Sequence, residues 1–284
     1  MNKNKVQSEI EVNDKMSCVK KFVVVLFVTI FMFSLFNIVG AIAKDSGKKH
    51  FSLPLNAVEI APGVYDLGKS LHNGVVVEGM VFVDYKEGYL AEKGSGGGKL
   101  PVCYTLYATG AKWKSPENWL INPTNSRGLS SSFVLDNVAY DIQKWENAAG
   151  KNILGSGTLT YSSLGLDVGG PDGLNEIYFA DITDQGIIAV TAVWGIFSGP
   201  PTKRYIVEFD QVFDDTSYDW SASGEAGKMD FENIAIHELG HALGLDHPSD
   251  SCSSETMYRY ADFGETKKRD LNSGDIAGIK ALYK

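Results

Sequence analysis

His237-Glu238-Leu239-Gly240-His241-Ala242-Leu243-Gly244-Leu245-Asp246-His247 decides how this 284-residue chain is read. In a helix, residues four apart lie one turn above each other on the same face, so His237 and His241 present two imidazoles to one point. Glu238 stands beside the first of them, near enough to reach a water there without being a ligand. Gly244 is placed to stop the helix, because glycine takes left-handed backbone angles without a Cβ penalty. The chain turns, and His247 arrives three residues later as a third ligand. Three neutral imidazoles with a fourth position left to water describe a catalytic zinc site rather than a closed structural one. Such an ion acidifies its water and polarises a carbonyl. Glu238 is then the general base, returning the proton to a leaving amine. These parts specify metal-assisted hydrolysis of a peptide bond. The bland alternative is a helix with satisfied surface histidines. Requiring Gly244 and His247 at their offsets lowers chance occurrence of the motif by about three orders of magnitude, which disfavours it.

Outward from the motif, a helix is expected over about 230–243 with Asp230 as N-cap. A second, over about 131–147, rests on Val134, Val138, Ile142 and Trp145 at helical spacing, with Ser130 to Ser132 as candidate caps. A short apolar face of Ile276, Ile279 and Leu282 predicts a last helix over about 273–283. Strand-like runs occupy about 175–180, 187–194 and 204–210. Earlier, 61–68 and 74–85 are also β-like, and the tract 94–98 (GSGGG), between Lys93 and Lys99, reads as a linker. Residues 44–98 are too few to bury much surface alone, so a satellite unit is expected, either a propeptide or an accessory module. The organisation expected is therefore 1–43 signal peptide or anchor, 44–98 small β-like segment, and 99–284 catalytic domain.

Beyond the third ligand, Thr256-Met257-Tyr258 completes a pattern. HExxHxxGxxH followed by a methionine turn is the metzincin signature, and within that clan the chain resembles the matrixins, the matrix-metalloproteinase-like family. Trp145 near the end of the first helix and Asp275-Ile276-Ala277-Gly278-Ile279 at the start of the last are similar to the same family. The likeness covers about 105–284. It implies an α+β (mixed α/β) catalytic domain of metzincin type, with a twisted mixed sheet, a long active-site helix and a C-terminal helix, preceded here by the small β-rich segment. It also implies an apolar floor from Met257 beneath the metal, a pocket wall including Tyr258 and Tyr260, and a protein or peptide substrate. That substrate would bind as an extra antiparallel strand, for which 186–193 (GIIAVTAV) has the corresponding place. An ordinary buried strand is the alternative there.

The chain departs from the family in places. Of its 5 histidines only the motif's three lie after residue 100, so the usual structural zinc is absent in its usual form and one catalytic Zn2+ is expected. The stretch 167–173 (DVGGPDG) suits a hard, oxygen-ligated ion such as Ca2+, with a plain turn cluster as the alternative. No cysteine flanked by Arg and Gly, the matrixin latency motif, is found. Cys103 and Cys252 remain after the N-terminal region, and one disulfide is the default in an oxidising compartment. A Cys103 thiolate masking the metal is the competing role.

Residues 22–43 form an apolar run after Lys20 and Lys21, ending in Ala41-Ile42-Ala43. Its length suits an anchor and its end suits signal cleavage. Either way the remainder lies outside the cytoplasm, secreted or tethered to the membrane through 22–43. The net charge of −9, without a basic cluster, argues against a nucleic-acid partner. Two other functions fit less well: a non-catalytic, zinc-stabilised surface module, which needs no Glu238, and a zinc hydrolase acting on isopeptide or cell-wall cross-links.

Overall fold

The computed structural model describes residues 50–89 and 102–284, which belong to one compact unit. The apolar run 22–43 and the Gly-rich tract 94–98 lie outside the described residues. Among the described residues, no helix is long and apolar enough to cross a membrane.

In chain order the strands are β1 His50–Phe51, β2 Val58–Ala61, β3 Val64–His72, β4 Val75–Lys86, β5 Thr105–Leu106, β6 Glu117–Asn122 and β7 Leu154–Leu159. They continue as β8 Glu176–Ile182, β9 Ile187–Ile196, β10 Tyr205–Asp214, β11 Trp220–Ser221, β12 Met229–Asp230, β13 Leu245–Asp246 and β14 Tyr260–Ala261. The helices are α1 Ser131–Ala149, α2 Phe231–Ala242 and α3 Ser273–Tyr283. All three fall where periodicity places them, the first two with the caps expected of them. The fold is α+β.

The main sheet runs β2-β3-β4-β9-β10-β8-β6-β7, with β1 joined to β8 and β14 to β4. From β2 to β10 its neighbours are antiparallel; from β10 to β7 they are parallel. Residues 50–86 are thus part of this sheet rather than a satellite beside it, and β4 is an interior strand between β3 and β9. The cause lies in its side chains. Val77, Val81, Val83 and Tyr85 enter the hydrophobic cluster on one face, while Phe82 enters the helix-side cluster on the other. A strand apolar on both faces needs cover on both. β9 is buried from Ile187 to Gly195, so the ordinary buried-strand reading describes it here, and β4 occupies the edge it would otherwise offer.

The helices pack on the face carrying Phe82, Ile188, Val193 and Phe209. Ser130 Oγ caps α1 by accepting from Phe133 N at 3.2 Å, and Gly150 ends it at φ +67°. Asp230 Oδ1 caps α2 by accepting from Asn233 N at 3.1 Å. Trp145 Nε1 donates to Ile236 O at 2.9 Å and locks α1 against α2. Gly244 ends α2 at φ +114°, and a Cβ there would come within 2.4 Å of Leu282 Cδ2. Backbone angle and space both demand glycine. A disulfide joins Cys103 to Cys252, 149 residues apart, so Cys103 has no thiolate to give a metal.

Candidate metal centre

α2 carries His237, Glu238 and His241, and the turn after Gly244 brings in His247. His241 Nε2 lies 3.2 Å from His237 Nε2 and 3.1 Å from His247 Nε2. His237 Nδ1 donates to Thr256 O at 2.6 Å and His241 Nδ1 to Leu245 O at 3.0 Å. A carbonyl only accepts, so both Nδ1 atoms carry the proton and both Nε2 atoms turn a lone pair inward. All three rings are buried, at 1 %, 0 % and 7 % exposure for His237, His241 and His247. Burial drives the imidazoles of His237 and His247 down to about 4 despite the pull of Asp84. Neutral imidazoles whose lone pairs converge in a dry site repel one another unless a cation lies among them. Tetrahedral zinc with ordinary Zn–N bonds separates its nitrogens by about 3.3 Å. The donor set and the spacing fit zinc, and the carbonyls behind the rings orient them as a second layer should.

Glu238 is fully buried. Its Oε2 accepts from Thr191 Oγ1 of β9 at 2.5 Å, and its Oε1 has no hydrogen-bond partner. Burial, reinforced by Asp84, raises its carboxyl well above the usual range. Met257 packs beneath α2, where a Cβ on Gly240 would fall 2.1 Å from its sulfur. That makes Gly240, between the two histidines of α2, a spacing requirement. Asp275 accepts from the backbone N–H groups of Thr256 and Met257 at 2.7 and 3.1 Å. Thr256 O in turn accepts from His237, so the start of α3 positions a histidine through the turn. Buried Lys268 donates to Tyr258 O behind the same ring. Tyr258 and Tyr260 are buried and meet edge-on at 5.6 Å.

Sequence reasoning missed what Thr191, Asp275 and Lys268 do here, and it missed Asp84 altogether. Asp84 Oδ1 lies 2.8 Å from His237 Nε2 and 3.0 Å from His247 Nε2, and Oδ2 lies 3.6 Å from His241 Nε2. One signal could have found it: Asp84 is a lone carboxylate inside the apolar run 81–85 (VFVDY), and buried charges are almost always paired or metal-bound.

A second acidic group joins Asp167, from the Gly-rich stretch, to Glu208 and Asp210 of β10. Their oxygens lie within 4.8 Å of one another. Asp172 N and Gly173 N donate to Glu208, and Asp167 N donates to Asp210 at 3.0 Å. Burial pushes the Glu208 carboxyl up to about 8 and raises Asp210 and Asp167 as well.

A family model described as Matrixin matches residues 200–284. Metalloendoproteinase 2-MMP of Arabidopsis thaliana is 32% identical over 91 residues, covering 30% of this chain and 21% of that protein. Metalloendoproteinase 1 of Glycine max is 42% identical over 77 residues, 25% of this chain and 24% of its own length. Matrilysin of Rattus norvegicus is 40% identical over 74 residues, 26% of each chain. The matched region spans about a quarter of the length of these curated relatives. Over that region the chain is similar to the matrixin metalloproteinases.

Proposed function

We propose that this chain is an exported, zinc-dependent endopeptidase with a metzincin-type catalytic unit over about 99–284, its metal held by His237, His241 and His247. The convergence of three buried Nε2 atoms, two with their Nδ1 atoms tied to backbone carbonyls, carries this reading. Zinc bound there supplies Lewis acidity, polarising the scissile carbonyl and acidifying the attacking water. Glu238 takes the water's proton on Oε1 and passes it to the leaving amine. Thr191 holds the other oxygen and fixes the direction in which the base points. Met257, held by Asp275, and the wall formed by Tyr258 and Tyr260 shape the floor and the side of the cleft. The disulfide supports export, as does the basic-then-apolar N-terminus. A non-catalytic, zinc-stabilised module has no use for Glu238 with an unpartnered oxygen beside the ligands. Elemental analysis of the dialysed full chain should find one tightly held zinc, removed by strong chelator. Two zincs, or none, would contradict the ligand set.

Calcium is proposed at Asp167, Glu208 and Asp210, because three clustered carboxylates suit a hard cation. In chelator, a Glu208 held near 8 when folded, against an ordinary value when unfolded, keeps its proton longer in the folded state. Stability should then fall as pH rises from about 4.5 to about 8. Calcium at about 100 times its Kd should add about 2.7 kcal/mol and flatten that fall. Glu208→Gln should abolish the calcium response. Melting temperatures at pH 5 and 8, with calcium and with chelator, give the answer; a calcium effect identical in the variant would refute the site.

A further inference from the structure

Asp84 stands where no residue of the histidine motif could supply a ligand. Its carboxylate faces all three Nε2 atoms at 2.8–3.6 Å; it is 3 % exposed, and its Oδ2 has no hydrogen-bond partner. Since His237 and His241 carry their protons on Nδ1, their Nε2 atoms have no hydrogen to offer it. His247, whose Nδ1 has no partner, can offer Asp84 a hydrogen from Nε2; at the other two nitrogens a carboxylate oxygen faces a lone pair away from water, an arrangement that a cation shared among them would stabilise. Three nitrogens and one oxygen around that cation make a closed four-ligand set, with no position left for water.

The strand that carries Asp84 has its own meaning. β4 pairs antiparallel with β9 from Glu78 to Tyr85 and parallel with β14 through Tyr85 and Tyr260. Lys86 N donates to Gly186 O and Glu87 N to Ala261 O, both at 2.9 Å. An extended peptide crossing the face of the metal centre would need these same two edges, one on either side. Strand alternation sends Phe82 and Asp84 to the helix side and Val81, Val83 and Tyr85 away from it. Phe82 stacks on His241 at 4.3 Å, which sets the register and leaves Asp84 over the three nitrogens. A side-chain carboxylate, not a peptide carbonyl, thus meets the metal position, so the strand fills the cleft without presenting a bond to be cut.

We propose that Asp84 is the fourth protein ligand of the metal and that β4 is a built-in substrate mimic, which keeps the peptidase latent until β4 leaves the cleft. This rests on the zinc-peptidase reading. Removing the carboxylate opens the fourth position even while the strand stays paired.

Affinity for acetohydroxamate, a small chelating probe of an open metal position, tests this on the zinc-loaded full chain. Asp84→Ala and Asp84→Asn should bind the probe at least about 100-fold more tightly than wild type, if the wild-type position is open about 1 % of the time or less. The cobalt-loaded chain should also change its visible absorption on Asp84→Asn, because one ligand is lost. Asparagine preserves the shape of the side chain and covers the case in which the alanine variant fails to fold. Equal hydroxamate affinity in wild type and both variants, with metal bound, would overturn the role of Asp84 and leave the peptidase reading standing. Failure of every form to take up metal would overturn the peptidase reading, and this proposal with it.

Discussion

Replacing Glu238 with alanine should lower peptide hydrolysis by about three orders of magnitude, within the usual range for loss of a general base, while zinc content stays at one per chain. The geometry separates the two roles. The ligating nitrogens belong to His237, His241 and His247, whereas Glu238 Oε2 is engaged by Thr191 and Oε1 has no partner. His241→Ala should instead lose the metal, because the remaining two imidazoles cannot complete the set. The comparison is made in chains that also carry Asp84→Ala and are cut, after folding, within 94–98, so that neither the carboxylate nor the paired β4 hides the difference. Zinc loss of equal extent in the Glu238 and His241 variants would show that Glu238 is a ligand and not the base.

The second large effect belongs to the disulfide. Cys103–Cys252 closes a loop of 149 residues, and the chain-entropy relation assigns such a closure about 5 kcal/mol, an upper figure. That is a large share of the 5–15 kcal/mol typical of a folded domain. The bond pins the strand-forming segment at Thr105–Leu106 and the loop leading to Met257 to one place. Gly274 serves that packing too: a Cβ there would lie 2.0 Å from Cys103 O. The Cys103→Ala, Cys252→Ala double variant should therefore unfold at markedly lower urea concentration, with a somewhat steeper slope because the unlinked unfolded chain exposes more surface. A midpoint equal to that of wild type would mean that the bond constrains nothing in the unfolded chain.

The motif spacing, the three helices and the caps of the first two were legible in the sequence because each depends on neighbours a few positions away. His237 and His241 share a face through helical geometry alone, and Gly244 announces its turn through backbone freedom. Asp84 was not legible in the same way. It meets His247 across 163 residues, and that contact requires β4 to pair with β9, which no local rule specifies. The same holds for Thr191, which reaches Glu238 from a neighbouring strand, and for Asp275, whose carboxylate turns back onto Thr256 and Met257 from the start of α3. The short segment before the Gly-rich tract was read as a satellite because fifty residues bury little alone; its strands instead borrow their cover from β9 and from the far-side apolar cluster. Asp167 was visible within a Gly- and Asp-rich loop, but its partners Glu208 and Asp210 lie in a strand whose alternation hides two acidic residues among Val207, Phe209 and Val212.

The decisive measurement is cleavage of a mixed peptide library by the chain carrying Asp84→Ala and cut, after folding, within the Gly-rich tract 94–98 so that β4 can leave the cleft, stripped of metal by chelator and then reloaded with zinc. Because β3 and β4 belong to the sheet, the specimen is folded as the full chain and cut only afterwards. The stripped protein should cut nothing, and one equivalent of zinc should restore hydrolysis of internal peptide bonds. Cleavage that survives stripping, or a zinc-loaded and folded chain that cuts no peptide, would contradict the zinc-peptidase reading.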